Sequence, residues 1–185
     1  MRVIAGSAKG RRLKAPPGTR VRPTSDRLKE ALFSHLGASL EGCRVLDLYA
    51  GTGALGIEAL SRGAREAVFV ERDQRAAAAL VSNLEATGLS ENAGVRRATV
   101  ERFADDFAGE PFDFVFLDPP YELGIPAGVI ETLLERGAIG ALGKVVVESS
   151  RRRGPFAPPE GFEIDQVTTY GDSAVVYLSP ARESI

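Results

Sequence analysis

The sequence predicts a Rossmann-like α/β domain whose mostly parallel, seven-stranded sheet ends in an antiparallel hairpin. Three observations carry this. From residue 44 onward, short apolar runs alternate with helical stretches, the pattern of a parallel sheet covered on both faces. The first run passes straight into a glycine turn, Gly51-Thr52-Gly53-Ala54-Leu55-Gly56, which lets the backbone bend sharply and approach a ligand in front of a helix N-terminus. The last two runs are separated only by Gly171-Asp172-Ser173, too short a link for a parallel crossover.

Taken in order, the opening residues place Val3-Ile4-Ala5 and Leu13 among Gly6, Gly10 and Gly18, which reads as a small glycine-rich hairpin. Pro23 and Thr24 then open a helix that Thr24, Ser25 or Asp26 caps. Leu28, Leu32 and Leu36 share one of its faces, and Gly37 stops it. Parallel strands are expected at 44–49, 66–71, 94–99, 112–117 and 144–149, with helices at 54–62, 73–87 and 128–136. Residues 151–159 read as a loop, and strands at 162–170 and 174–178 form the terminal hairpin. The chain therefore divides into an extension, 1–38, and a main domain, 39–185.

Composition narrows the class. A chain of 185 residues with 44% hydrophobic and 26% charged residues suits one globular domain with a real core. No apolar run approaches the roughly 20 residues of a membrane helix, and the opening MRVIAGSAKGRRLK lacks a signal-peptide stretch. Cys43 is the only cysteine, so an internal disulfide and a cysteine-based zinc site are excluded, and a reducing cytoplasm is the expected location. Neither a metal nor a membrane partner is expected. His35 is the only histidine and lies far in sequence from the motifs, which counts against triad hydrolases. The net charge of −2 hides an asymmetry: residues 1–30 carry +7 and the rest −9. A basic arm on an acidic body is the footprint of a polyanion partner, with a solvated tail as the competing reading.

Two motifs carry the chemistry. Asp47 lies inside the first strand, four residues before the glycines, and Glu71 follows twenty residues after Gly51. An acid at the end of the second strand holds ribose hydroxyls, so the turn also matches the dinucleotide fingerprint. Three features favour S-adenosylmethionine over NAD. Asp47 suits an ammonium group better than a pyrophosphate. Asp118-Pro119-Pro120-Tyr121 ends the fourth strand, at the expected crevice. No residue stands out as a hydride-transfer acid. An exocyclic amine on a base is a poor nucleophile because its lone pair is delocalised into the ring. The Asp118 carboxylate and the Pro119 carbonyl are acceptors that hold its N–H groups. Pro120, like Pro119, lacks an N–H and stiffens the turn, and Tyr121 stacks on the base. Asp118 is also placed to take the proton of the methylated amine. These features imply a class I S-adenosylmethionine-dependent methyltransferase.

The chain resembles the RsmD family of bacterial 16S rRNA guanine-N2 methyltransferases. The segments that carry the resemblance are RVIAGSAKGRRL, RPTSDRLKEALF, VLDLYAGTGALGIEALSRGA, FVERD and FVFLDPPYELG, nearly end to end. It implies that Asp47, Gly51 and Gly53 surround the methionine part of the cofactor and Glu71 its ribose, with Tyr49, Ala50, Thr52, Arg72, Thr99, Val100 and Asp118 completing the wall. It implies that Asp118 and Tyr121 hold the guanine, and that Arg2, Lys9, Arg11, Arg12, Arg22, Thr24 and Arg27 contact RNA of the small ribosomal subunit. Phosphate contacts of this kind position without reading sequence. Related sequences often carry an Asp facing the adenine where this chain reads Arg97-Ala98-Thr99-Val100. Adenine N6 as acceptor, or a non-catalytic RNA-binding assembly factor, are the alternatives. Because the main domain has its own sheet and glycine turn, cofactor binding is expected not to need residues 1–22.

Overall fold

The computed structural model describes residues 1–16, 26–120, 124–153 and 156–181. Its elements are α1 (Asp26–Leu36), β1 (Arg44–Leu48), α2 (Ala54–Ser61), β2 (Glu66–Val70), α3 (Gln74–Thr87), β3 (Ala93–Arg96), α4 (Val100–Asp105), β4 (Phe112–Leu117), α5 (Ala127–Glu135), β5 (Ile139–Ser150), β6 (Phe162–Tyr170) and β7 (Ser173–Pro180). The sheet has the order β3-β2-β1-β4-β5-β7-β6. Strands β1 to β5 pair in parallel, and β7 runs antiparallel to both β5 and β6. Every strand expected from the sequence is present.

Three local differences have simple causes. Helix α4 is not foreseen by the sequence pattern: it is a single capped helix of six residues with only Val100 and Ala104 buried, too short for a periodic signal. Strand β5 begins at Ile139, five residues earlier than expected, because Gly140 and Gly143 interrupt its pattern without breaking the strand. Arg151–Arg153 form a 3-10 turn rather than an open loop.

The apolar strands bury both faces. Val45, Leu46 and Leu48 of β1 and Val115, Phe116 and Leu117 of β4 have no exposed surface, each contributing about 1.5–3 kcal/mol of burial. One core layer lies under α1, α2 and α3, the other under α4 and α5. The Asp73 carboxylate caps α3 by accepting the Ala76 N–H at 2.8 Å, and Gly88 closes it in the left-handed conformation. The His35 ring packs on Tyr177 at 4.5 Å between centroids, a structural role.

The arm forms a short hairpin. The Val3 N–H donates to the Arg11 carbonyl and the Gly10 N–H to the Val3 carbonyl, both at 2.9 Å. It does not stand apart from the main domain. Val3, Ala8 and Leu13 are buried in the same core layer as α1 and α2. Gly6 comes so close to α2 that a Cβ there would lie 1.6 Å from the Ser61 carbonyl oxygen. Glu58 of α2, fully buried, accepts the Ile4 N–H at 2.7 Å and the Ala5 N–H at 3.0 Å. Its other partners are Arg62, at 2.8 Å, and the fully buried Lys29 ammonium, at 3.4 Å. Lys29 also donates to the Arg2 carbonyl. Desolvation lowers the Lys29 pKa, and the neighbouring Glu58 carboxylate opposes that shift. The expectation that the main domain manages without its arm is therefore revised. Removing it strips two donors from a buried carboxylate on the helix that follows the glycine turn.

Candidate active site

The order of the sheet reverses between β1 and β4, and a crevice opens beyond their carboxyl ends, where ligands bind in such sheets. It holds a cavity of about 440 Å³, within the usual range for ligand pockets. Asp47, Tyr49, Ala50, Gly51, Thr52, Glu71, Arg72, Thr99, Val100 and Asp118 line it, as does Pro119-Pro120. Residues far apart in the sequence thus meet on one wall. Tyr121 lies outside the described residues.

Gly53, expected in that wall, sits between Thr52 and Ala54, which both line the cavity. Its N–H is used within the turn, donating to the Ala50 carbonyl at 2.7 Å. Its φ of +80° opens α2, and a Cβ there would meet Leu80 Cδ1 at 2.2 Å. Gly53 is required for the turn and for packing on α3, while Gly51 faces the cavity.

The cavity is strongly acidic. Asp47 is 2% exposed, with its Oδ2 accepting the Gly56 N–H at 2.8 Å. Burial raises its pKa well above the usual carboxylate range, and Asp118 and Glu71 push it further up, against the Gly56 hydrogen bond. Both oxygens of Glu71 are fixed: one accepts the Gly51 N–H at 2.8 Å, the other the Asp73 N–H at 2.7 Å. Each oxygen keeps a lone pair for a further donor. Tyr49 adopts a left-handed φ of 58°, a conformation that costs a residue with a side chain about 1–2 kcal/mol. Burial and then Glu101 raise its hydroxyl pKa, while Arg72 opposes them, so the ring stays neutral. Thr99 caps α4, its hydroxyl oxygen accepting the Arg102 N–H at 3.3 Å, which leaves its proton to donate.

Met1, Asp73, Ala98 and Glu101 also line the cavity, and sequence reasoning does not place them there. Glu101 has a traceable cause: once Thr99 is seen to cap a helix, the acid of its first turn falls on the rim. A desolvated carboxylate, a doubly anchored glutamate and an aspartate at one cavity fit a ligand that combines positive charge with hydroxyl donors. S-adenosylmethionine has that donor set. Among the described residues, no group of three or more His, Cys, Asp or Glu is placed to hold a metal ion, and no helix is long and apolar enough to cross a membrane.

On the arm, Arg2, Lys9, Arg11 and Arg12 are exposed, as is Arg27 on α1. Arg2 lies 3.4 Å from Asp26 in a solvent-facing pair. Arg22 and Thr24 lie outside the described residues. Lys29, counted in the arm's positive charge, is buried against Glu58 and faces no solvent.

A sheet in this order, with a glycine turn after β1, an acid after β2 and Asp-Pro-Pro after β4, is the class I methyltransferase fold, which implies S-adenosylmethionine as methyl donor. The sequence pattern of a family described as Conserved hypothetical protein 95 covers residues 1–179. The chain belongs to this family, also called RsmD. The Escherichia coli K12 protein named Ribosomal RNA small subunit methyltransferase D is 34% identical over 184 residues, spanning 100% of this chain and 91% of that protein. The Haemophilus influenzae protein of the same name is 34% identical over 176 residues, 92% and 89% of the two chains. The solved structure of a hypothetical protein of Thermus thermophilus superposes with a TM-score of 0.82 at 34% identity, covering 98% of this chain and 99% of that one.

Proposed function

We propose that this protein transfers a methyl group from S-adenosylmethionine to the exocyclic N2 of a guanine in 16S rRNA of the small ribosomal subunit. The observation that carries the proposal is that Asp118-Pro119-Pro120 lines the same cavity as Asp47 and Glu71. An amine acceptor and a cationic, ribose-bearing donor then share one space. The names of the full-length relatives supply the substrate class.

Bound in this cavity, S-adenosylmethionine supplies an electrophilic methyl group. Asp47 holds a positive group while ionised, its burial making the interaction stronger than in water. Glu71 accepts from ribose hydroxyls with the lone pairs that Gly51 and Asp73 leave. The Asp118 carboxylate and the Pro119 carbonyl accept the two N–H groups of the amine and turn its lone pair toward the methyl group. Asp118 then takes the proton released from the cationic product. Tyr121 stacks on the base. Arg2, Lys9, Arg11, Arg12, Arg22, Arg27 and Thr24 contact the RNA backbone and position it. A base within a duplex cannot reach such a crevice, so the target guanine is unstacked or flipped out.

The test is transfer of a tritiated methyl group to unmodified small subunits, followed by mapping of the modified nucleotide. One guanine carrying the label on N2 is expected. Label on an adenine N6 would establish the alternative acceptor. Cofactor binding without transfer to any RNA would establish the non-catalytic alternative.

A further inference from the structure

The arm and the glycine turn are joined by one side chain. Asn83 of α3 is 1% exposed, and both ends of its amide are hydrogen-bonded. Its Oδ1 accepts the Lys14 N–H at 2.8 Å. Its Nδ2 donates to the Lys14 carbonyl and to the Thr52 carbonyl, both at 3.0 Å. Thr52 belongs to the glycine turn and lines the cavity. The arm reaches the cavity a second time, because the Leu13 N–H donates to the carbonyl of Met1 at 3.1 Å, and Met1 also lines it. Arg11 and Arg12, both exposed, come just before these contacts in the chain. A planar amide with three hydrogen bonds to two chain segments fixes their spacing. The arm cannot shift at Lys14 without moving the Thr52 carbonyl or breaking a buried hydrogen bond.

We infer that Asn83 is a positioning residue through which RNA held on the arm and cofactor held at the glycine turn strengthen each other's binding. This rests on the function proposed above. Each ligand immobilises the segment it touches, and order already imposed by the first need not be imposed again by the second. Coupling of this kind is reciprocal: the factor by which cofactor tightens RNA must equal the factor by which RNA tightens cofactor. A purely structural Asn83 would lower stability and leave that factor unchanged.

The test uses the full-length protein, an unmodified 16S RNA fragment and S-adenosylhomocysteine as the unreactive cofactor probe. In the wild type each ligand should tighten the other by the same factor, about fivefold or more, the lower end of typical couplings. In Asn83→Ala the factor should fall to one, raising KM for both substrates while kcat at saturation stays nearly unchanged. Asn83→Asp keeps the acceptor for Lys14 but loses both donated bonds, and should uncouple the ligands equally. Full coupling in Asn83→Ala would overturn the inference, as would no coupling in a wild-type protein that binds cofactor and methylates RNA. That second result would leave the proposed function standing, whereas a wild type that does neither would remove both. If Asn83→Ala does not fold, hydrogen exchange on the wild type decides the matter. S-adenosylhomocysteine should slow exchange of the Lys14 amide and leave the β6–β7 hairpin unchanged. An unaffected Lys14 amide would sink the idea.

Discussion

Replacing Glu58 by glutamine tests the joint between arm and main domain. The substitution keeps size and shape, but an amide NH2 donor takes the place of one carboxylate oxygen, so the cost is a lost charge together with a lost acceptor for Ile4 or Ala5. Lys29, with no exposed side-chain surface, loses the buried carboxylate it pairs with, and breaking a buried pair in this way costs about 3–5 kcal/mol. A limit on the charge part of this cost follows independently. Lys29 can escape by shedding its proton, which at pH 7 costs about 4.6 kcal/mol, or about 1.4 kcal/mol for each of the roughly 3.4 pH units below an ordinary lysine pKa. At this chain length the loss should lower Tm by about 2–4 °C per kcal/mol. The sign with pH is distinctive. In the variant the unfolded chain carries the Lys29 proton and the folded one does not, so stability rises with pH. The gap to wild type should therefore narrow by about 1.4 kcal/mol per unit as pH rises from 7, until the lowered Lys29 pKa of the wild type is reached, above which both proteins follow the same slope. Thermal and denaturant unfolding at pH 7 and pH 9 measures both effects. Adding Lys29→Met should recover part of the loss at pH 7, since it removes the orphaned charge. A Glu58→Gln protein that loses under about 1 kcal/mol, the scale of an exposed pair, with a gap independent of pH, would refute the reasoning.

Four further outcomes are expected. Asp47→Asn should raise the stability of the cofactor-free protein, because a carboxylate whose folded pKa lies above its unfolded value costs stability once pH exceeds the unfolded value. It should weaken cofactor binding by about 1.5–3 kcal/mol in calorimetry, and abolish the loss of affinity that wild type shows as pH falls through the raised Asp47 pKa. Asp118→Ala should leave cofactor affinity nearly intact and slow single-turnover methyl transfer by about a hundredfold or more, as befits an acceptor needed at the transition state. Gly53→Ala should cost about 2–5 kcal/mol in denaturant unfolding, combining a left-handed backbone with a side chain driven into Leu80. Single Arg11→Ala or Arg12→Ala changes should each reduce the log–log salt slope of RNA binding by about one unit per lost phosphate contact, without changing which nucleotide is modified.

The sheet is legible in the sequence because its strands are apolar on both faces and its turns are marked by glycine, so local pattern and global burial agree. Asp47, Glu71 and Asp118 are legible for a related reason. Each stands at or near the carboxyl end of a parallel strand, and topology alone brings those ends together. What the sequence hides is polar and tertiary. Glu58, the one acid in the helical run ALGIEALS, is fully buried, and nothing in its local pattern marks the arm as its partner. Asn83 sits in an alanine-rich helix with nothing nearby to mark it, because its partners are backbone atoms on the arm and in the glycine turn. Gly53 carries a second requirement that its motif does not reveal: the neighbour that needs its missing side chain is Leu80.

The contacts that dock the arm have one more consequence. On the arm, the partners of Glu58, Ser61 and Asn83 are the N–H groups of Ile4, Ala5, Ser7, Ala8 and Lys14 and the carbonyls of Ala5 and Lys14. The polar part of the grip is on main chain, which every residue except proline presents alike, while Val3, Ala8 and Leu13 supply the apolar part. The side chains of Lys9, Arg11 and Arg12 take no part in it, and all three residues are exposed to solvent. Docking and charge are thus separate properties of one segment. Lysine, glutamine or even glutamate at positions 11 and 12 should leave the arm seated as before, so attraction for a polyanion can be raised, lowered or reversed with the fold unaltered. The exposed positions of such a segment can drift in sequence to suit a changing partner while Gly6, Val3, Ala8 and Leu13 keep its geometry fixed.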